Sequence, residues 1–173
     1  MALRDILTYP NPLLREKARP VTEFDEMLKA IARDMAETMY AEPGVGLAAT
    51  QIGVSLRLIT IDVREADGEA GELLKLANPE IVEREGEIIG EEGCLSVPGV
   101  REDVKRAERI KVRAQDLDGQ EKIIEAEGFL AVVFQHEIDH LDGILFIDRL
   151  SPLKRTGIKR RLRREAEQAA DNG

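Results

Sequence analysis

Both histidines of the chain lie in one short segment, and this segment constrains the fold more than any other. His136 and His140 are four residues apart, with Glu137 directly after the first. On a helix, side chains four residues apart stack on one face, with Cβ atoms roughly 5–6 Å apart. Two imidazoles at that separation can share one metal ion. The helical period turns Glu137 away by about 100°, so it can reach a metal-bound water without being a ligand. This is the H-E-x-x-H pattern of metal-dependent hydrolases.

The residues before the histidines predict that this helix is buried. Val132 and Val133 precede His136 by four and three residues, so the imidazoles extend an apolar face. With Phe129, Leu130 and Phe134 the segment is apolar nearly all round, as in a core helix. Buried imidazoles need polar partners, and a metal ion is one way to supply them. The alternative, a polar stripe in contact with water, fits this apolar context poorly.

Composition restricts the class of protein. A chain of 173 residues suits one domain with a sizeable core, and 43% hydrophobic and 34% charged residues are typical of a soluble protein. No apolar run reaches the roughly 18 residues that a membrane-spanning helix needs. Residues 1–5 lack the apolar core of a signal peptide. The single cysteine, Cys94, excludes an internal disulfide. These features predict a cytoplasmic protein, with an organelle as the alternative.

Hydrophobic periodicity predicts an α+β fold. The helix signals are a segment from Glu23 to Tyr40, opened by a capping box at Thr22, the histidine helix between Gly128 and Gly143, and a helix from Pro152 onward. The strand signals cover residues 56–63, 73–77, 80–85, 88–89, 109–115 and 120–127. Residues 64–72 are polar and predicted as a loop, and residues 91–99 end in turn-forming residues.

These elements predict a single domain over residues 1–173, in which antiparallel or mixed sheets surround the buried histidine helix. The C-terminal helix, over 154–173, is strongly basic. Its segment 154–164 holds seven of the 25 basic residues and none of the 34 acidic residues. A net charge of −9 disfavours general nucleic-acid binding. The basic segment is therefore either a solvated charged face or a docking surface.

The two histidines need a third protein ligand, because a catalytic metal usually takes three plus a water. Asp142 and Asp148 lie downstream, and Cys94 lies upstream. Asp142 follows His140 by only two residues, which turns it away from the shared face. A lone cysteine is most often a small buried hydrophobe. A Cys–His nucleophilic pair is a further alternative, although it leaves Glu137 without a role.

Three segments together resemble the peptide deformylase family. They are Gly-Val-Gly-Leu-Ala-Ala-Thr-Gln at 44–51, Glu-Gly-Cys-Leu-Ser at 92–96 and Gln-His-Glu-Ile-Asp-His at 135–140. They occur in the family's order and at about its spacing, and the resemblance extends over essentially the whole chain. It implies Cys94, His136 and His140 as the ligands of one divalent metal ion per chain. It also implies ferrous iron as the natural metal, which zinc, nickel or cobalt can replace.

The resemblance further implies an enzyme that removes the formyl group from the N-terminal formyl-methionine of newly made polypeptides and releases formate. Glu137 would take and return the proton, while the Gln51 amide and the Leu95 backbone N–H would stabilise the oxyanion. The implied substrate-binding residues are Val45, Gly46, Gly93, Arg101, Phe129, Val132 and Val133. Where relatives place an apolar pocket residue, this chain has Gly90, so we expect a more open pocket wall there.

The resemblance also implies a partner. Relatives dock on the ribosome through their C-terminal helix, which implies contacts of ribosomal RNA or protein near the exit tunnel with Lys159, Arg160, Arg161, Arg163 and Arg164. No membrane partner is expected. Two other functions remain as alternatives at this point. One is an H-E-x-x-H metallopeptidase, which usually takes its third ligand from downstream. The other is an RNA-binding module without enzymatic activity, which would leave the three matching segments unexplained.

Overall fold

A computed structural model of the protein describes residues 2–63 and 71–172. Most of the predicted 64–72 loop lies outside the described residues. The strands are β1 (Gly46–Ala48), β2 (Leu58–Ile61), β3 (Leu74–Glu85), β4 (Ile88–Cys94), β5 (Val97–Arg106), β6 (Arg109–Gln115) and β7 (Glu121–Glu127). The helices are α1 (Glu26–Ala41), α2 (Gly128–Leu141) and α3 (Pro152–Asn172). Single turns of 3₁₀ helix cover Pro12–Arg15, Ala49–Ile52 and Phe146–Arg149.

The described strands form two antiparallel sheets around the histidine helix, which confirms the predicted α+β fold. The larger sheet has the order β1-β2-β3-β6-β7, and β4 and β5 form a separate hairpin. Helix α2 contacts all five strands of the larger sheet. Its buried apolar side chains, among them Phe134 and Leu141, share one core cluster with strand residues such as Ile59 and Val112. The apolar sequence of α2 therefore places both histidines against the centre of the fold.

Helix α2 ends where a glycine is required. Gly143 has a φ of +74°, in the left-handed region that disfavours a side chain. A Cβ atom at this position would also overlap the backbone carbonyl of Arg15. The predicted end of the histidine helix at Gly143 thus follows from both conformation and close packing.

Three predictions about element bounds are wrong. Helix α1 begins at Glu26, because the carboxylate of Asp25, not Thr22, caps it by accepting a hydrogen bond of 3.0 Å from the Leu28 N–H. The predicted strands 73–77 and 80–85 are one strand, β3, which a register shift bends near Asn78. Residues 91–99 are largely strand, because β4 continues to Cys94 and β5 begins at Val97.

Helix α3 is anchored to the body of the protein by apolar and by ionic contacts. Leu162 is buried in a second core cluster, with residues of β5 and of the 146–149 turn. Asp148 pairs with Arg15 at 2.5 Å and with Lys159 at 2.7 Å. Burial raises the pKa of Asp148, but the hydrogen bonds from Arg15 and Lys159 outweigh burial and lower this pKa to about 2. Of the helices in the described parts of the chain, none is long and apolar enough to cross a membrane.

Candidate active site

Cys94, His136 and His140 converge at one point between the hairpin and the histidine helix. One ligand atom from each of the three lies within 4.8 Å of the others. The Sγ atom of Cys94, at the end of β4, is 3.3 Å from Nε2 of His140. The other two candidates for the third ligand lie elsewhere. Asp142 pairs with Arg57 at 3.1 Å, and Asp148 pairs with Arg15 and with Lys159 of α3. The geometry therefore favours Cys94 as the third member of the cluster.

The carboxylate of Glu92 orients His136 in this cluster. Its Oε1 atom is 3.0 Å from Nδ1 of His136, which leaves Nε2 for the cluster. Burial lowers the pKa of His136, but hydrogen bonds with Cys94 and Glu92 outweigh burial and raise this pKa well above its usual value. Burial and the neighbouring His136 lower the pKa of His140 well below its usual value. His140 is therefore held in the neutral form that binds metals.

The residues of the cluster fit a divalent metal ion. One thiol and two imidazoles are the soft and intermediate ligands that suit zinc and iron. The contact of Glu92 with Nδ1 of His136 is the outer-shell hydrogen bond that usually fixes a metal-binding imidazole. All three residues belong to elements that the core holds in place.

Glu137 lies beside the cluster with its carboxylate buried. The residue is only 4% exposed, and Oε1 has no hydrogen-bond partner within residues 2–63 and 71–172. Burial raises the pKa of Glu137 to about 7. A carboxylate with a pKa near neutrality and an unused oxygen can accept a proton and give it back.

Two hydrogen-bond donors predicted to act on an oxyanion border the same cluster. The side-chain oxygen of Gln51 accepts a hydrogen bond of 3.0 Å from the Ala48 N–H, and its Nε2 atom donates to Oγ of Ser96 at 3.0 Å. The same Nε2 atom lies 3.6 Å from Sγ of Cys94. Leu95 follows directly on Cys94 and lines the adjoining cleft. The amide of Gln51 is therefore held rigidly next to the cluster.

A cleft of about 760 Å³ opens from the cluster. It collects every residue predicted to bind substrate, namely Val45, Gly46, Gly93, Arg101, Phe129, Val132 and Val133. Val132 and Val133 are buried at its base, whereas Phe129 is 54% exposed at its rim. Arg101 pairs with Glu91 at 2.6 Å on the exposed side of the hairpin. The cleft therefore has an apolar floor near the metal-binding cluster and a charged outer end.

Two glycines of the cleft lie close to neighbouring side chains. A Cβ atom on Gly46 would lie 2.5 Å from Oε2 of Glu137, and one on Gly93 would lie 2.8 Å from a guanidinium nitrogen of Arg101. Gly46 belongs to β1, the edge strand of the larger sheet, and Gly93 belongs to β4 of the hairpin. Two strand edges thus flank the cleft, and neither carries a side chain at these positions.

Sequence analysis missed the buried charged residues behind the site. The guanidinium of Arg106 donates two hydrogen bonds of 2.9 Å to Glu92 and one of 2.7 Å to Asp139. Asp139 in turn accepts hydrogen bonds from Arg149. Burial raises the pKa of Glu92, but the hydrogen bonds from Arg106 and His136 outweigh burial and lower this pKa to about 2. The sequence contains one signal that could have identified Glu92, namely its position two residues before Cys94. Residues two apart in a strand have their side chains on the same face.

A buried glutamate beside a cluster of one thiol and two imidazoles, at the end of a peptide-sized cleft, defines a metal-dependent hydrolase. The cleft and the two strand edges that flank it narrow this class to hydrolases that bind an extended polypeptide as substrate. The chain belongs to the polypeptide deformylase family, whose family model matches residues 3–156. This match favours a deformylase over the metallopeptidase alternative.

Individual relatives agree with the family model. The chain is 54% identical over 172 residues to a peptide deformylase of Alkalilimnicola ehrlichii, covering 99% of this chain and 96% of that protein. Its fold is similar to the crystal structure of a peptide deformylase from Legionella pneumophila, with a TM-score of 0.87 and 50% identity over 98% of both chains. A peptide deformylase from Ehrlichia chaffeensis, solved in complex with actinonin, is 38% identical, with a TM-score of 0.89 over 95% of this chain and 98% of that one.

Proposed function

We propose that this enzyme hydrolyses the formyl group of N-terminal formyl-methionine on newly made polypeptides and releases formate. The observation that carries the proposal is the buried, unpaired Oε1 atom of Glu137 beside the cluster of Cys94, His136 and His140. Hydrolysis of a formamide needs an activated water, a stabilised oxyanion and a proton for the leaving amine. The residues around the cluster can meet each of these needs.

Glu137 moves the proton. Cys94, His136 and His140 would hold a divalent metal ion, which would supply a bound water of lowered pKa and polarisation of the formyl oxygen. Glu137 accepts the water proton at its free oxygen and delivers it to the amine that leaves. Its raised pKa of about 7 makes both directions of transfer accessible near neutral pH. Since Glu137 is rotated away from the face shared by the two imidazoles, it works as a base and not as a ligand.

Gln51 and Leu95 stabilise the developing negative charge on the formyl oxygen. The Gln51 side chain is fixed at both ends by Ala48 and Ser96, so its Nε2 donor needs no reorganisation during the reaction. Nε2 carries two hydrogens: one is donated to Oγ of Ser96, and the other is directed at Sγ of Cys94, 3.6 Å away in the cluster. The backbone N–H of Leu95 is the second proposed donor, directly after the ligand Cys94.

The cleft supports recognition of a peptide whose first side chain is apolar. Val132 and Val133 form its floor near the cluster, with Val45 and Phe129 at the sides. Gly46 and Gly93 let the substrate backbone approach the two strand edges, where it pairs as an added strand. Arg101, at the outer end, meets residues further along the peptide. Methionine fits such a pocket because it is unbranched and polarisable.

Ferrous iron is the metal that we propose for the native enzyme, with zinc, nickel and cobalt as substitutes. The mixed thiolate and imidazole ligands support this choice, because such a set accepts each of these ions. A thiolate ligand also needs a reducing compartment, which supports a cytoplasmic location. Metal analysis of protein purified without oxygen tests the choice of iron.

Helix α3 is proposed to dock on the ribosome. Its exposed face carries Arg160, Arg163 and Arg164, which line a shallow surface depression with Lys159. Lys159 is tied to Asp148, Arg161 pairs with Glu165 at 3.7 Å, and Arg163 lies over the ring of Tyr9. Arg160 and Arg164 are therefore the strongest candidates for phosphate contacts.

Glu137→Gln tests the proposed reaction. The substitution keeps the size of the side chain but removes its ability to accept a proton, so formate release from formyl-Met-Ala-Ser should fall by at least a hundredfold. The metal content, measured by mass spectrometry, should stay at one ion per chain. Loss of the metal together with activity would instead make Glu137 a ligand. Release of methionine in place of formate would make the enzyme a peptidase.

A further inference from the structure

Asp62 is a buried acid that the proposed reaction does not use. It follows the last residue of β2 and is only 1% exposed. One of its carboxylate oxygens accepts a hydrogen bond from the hydroxyl of Tyr40, near the end of α1. The other oxygen, Oδ1, has no hydrogen-bond partner among the residues that the structure describes. Burying a carboxylate costs free energy, and with one oxygen unpaired this cost is only partly offset, so stability alone does not explain the residue.

The backbone of the same residue holds the edge of the substrate cleft. The Asp62 N–H donates a hydrogen bond of 2.9 Å to the carbonyl of Val45, which lines the cleft. This bond extends the pairing of Gly46 with Ile61 by one step beyond the end of β1. Hydrogen bonds between antiparallel strands come from alternate residues. A bond at Val45 therefore directs the N–H and the carbonyl of Gly46 away from β2, to the free edge of β1 where the proposed peptide pairs.

The N–H of Ala48 agrees with this direction. Ala48 lies two residues after Gly46, so its backbone groups point to the same edge. Its N–H donates a hydrogen bond of 3.0 Å to the side chain of Gln51 and not to β2. Since this donor is used within the enzyme, Gly46 is left as the residue of β1 that can pair with a peptide.

The side-chain bond between Tyr40 and Asp62 closes this edge. The connection that leads from α1 to β1 includes residues 42–45, and all four line the cleft. Tyr40 lies two residues before this segment, and Asp62 is bonded to its last residue, Val45. The bond between hydroxyl and carboxylate thus ties the end of the helix to the end of β2. It restrains the connection from both sides, and with it the position of Gly46.

We infer that Tyr40 and Asp62 are positioning residues for the peptide substrate, because their hydrogen bond holds β1 in the orientation in which Gly46 pairs with the substrate backbone. The inference rests on the proposed deformylase activity and deepens it, since it identifies what fixes the peptide-binding edge. Backbone pairing contributes equally to the bound substrate and to the transition state. Its loss should therefore raise KM and leave kcat nearly unchanged.

Tyr40→Phe tests the inference, because it removes only the hydroxyl group. In metal-loaded enzyme, KM for formyl-Met-Ala-Ser should rise about tenfold, as expected when one or two backbone hydrogen bonds to the peptide are weakened, while kcat stays within threefold of wild type. In the enzyme without peptide, amide hydrogen exchange at Asp62 should become faster, because its bond to Val45 opens more often. Tyr9→Phe is the matched control. Tyr9 is the other of the two tyrosines and is buried in a separate core cluster, so this change should leave KM and the exchange at Asp62 unaltered.

The double variant Tyr40→Phe/Asp62→Leu removes both partners of the bond and leaves no unpaired carboxylate. It should show the same rise in KM, and it decides the question if the single variant does not fold. A lower Tm with unchanged KM and unchanged exchange would make the pair merely structural and overturn the inference, as would a fall in kcat at constant KM. Both results leave the deformylase activity standing. Wild-type enzyme that releases no formate would overturn the proposed activity, and this inference with it.

Discussion

Gly46→Ala should impair catalysis by displacing Glu137, the proposed general base. The added methyl group would lie 2.5 Å from Oε2 of Glu137 and 3.0 Å from two of its carbon atoms. The first distance is about 0.9 Å below the 3.4 Å at which ordinary contact begins. Gly46 is held in the larger sheet by its pairing with Ile61, and Glu137 belongs to a helix that contacts all five strands of this sheet. The carboxylate must therefore move by most of an ångström.

A displacement of about 1 Å in a catalytic group can cost on the order of a hundredfold in rate. We therefore expect kcat for formyl-Met-Ala-Ser to fall by one to two orders of magnitude. Overpacking a filled site costs about 1–3 kcal/mol, and roughly 2–4 °C in Tm accompany each kcal/mol in a chain of this size. Metal content should be unchanged, because none of the three ligands contacts the new methyl group as closely as Glu137 does.

Formate release, thermal unfolding and metal content are measured on one preparation of the variant. These three measurements distinguish a loss of catalysis from a loss of stability and from a loss of metal. Gly157→Ala, in an open position of α3, is the control for the substitution itself and should retain wild-type turnover. If Gly46→Ala keeps kcat within threefold of wild type, the reasoning that catalysis depends on the present position of the Glu137 carboxylate is refuted. Loss of metal would show that the methyl group disturbs the ligands instead.

Three further outcomes follow from the site and from α3. Cys94→Ser should reduce bound metal and activity together, by at least tenfold under dialysis against a weak chelator, and full metal retention would remove Cys94 from the ligand set. Asp148→Asn should lower the free energy of unfolding by about 2 kcal/mol at pH 7. Because the pKa of Asp148 is lowered in the folded state to about 2, this stabilisation is present above the unfolded pKa of about 3.9 and is lost as the pH falls through about 2. Acid titration of both proteins should therefore show their unfolding energies converging, and a constant difference would contradict the ion-pair explanation. Replacing Arg160 and Arg164 by Glu should weaken ribosome co-sedimentation in a salt-dependent way without affecting hydrolysis of short peptides, and undiminished co-sedimentation would show that α3 is only a charged surface.

The histidine helix and the sheet regions could be predicted because their signals are local. The apolar residues around Val132 determine burial, and the spacing of His136 and His140 determines which side chains share a face. The residues of 109–115 alternate and form β6 over the predicted range. The residues alone leave Asp142, Asp148 and Cys94 open as the proposed third ligand, and only the family resemblance selects Cys94 among them. Only the packing of β4 against α2 brings Cys94 within 3.3 Å of His140.

The hairpin of β4 and β5 was missed for a physical reason. Glycines at 90, 93 and 99 and a proline at 98 lower the strand propensity of this segment, so turn signals dominate locally. Tertiary contacts override this propensity, because Glu92 and Arg106 are satisfied only when the two strands pair and meet α2. The ion pair between Glu92 and Arg106 joins residues 14 positions apart, and such a contact leaves no periodic pattern in the sequence. Periodicity alone therefore could not predict it.

The buried guanidinium of Arg106 has a consequence for how the protein folds. It joins Glu92 of the hairpin to Asp139 of α2, and Asp139 in turn holds Arg149 of the following turn. A partly folded chain in which one of these elements is missing would leave a charge buried without its partner, at a cost of about 3–5 kcal/mol. Partly formed states are therefore disfavoured, and unfolding should be more nearly all-or-none than hydrophobic burial alone would make it. His136 takes up its working orientation in that same cooperative step, because Glu92, which orients it, belongs to the network.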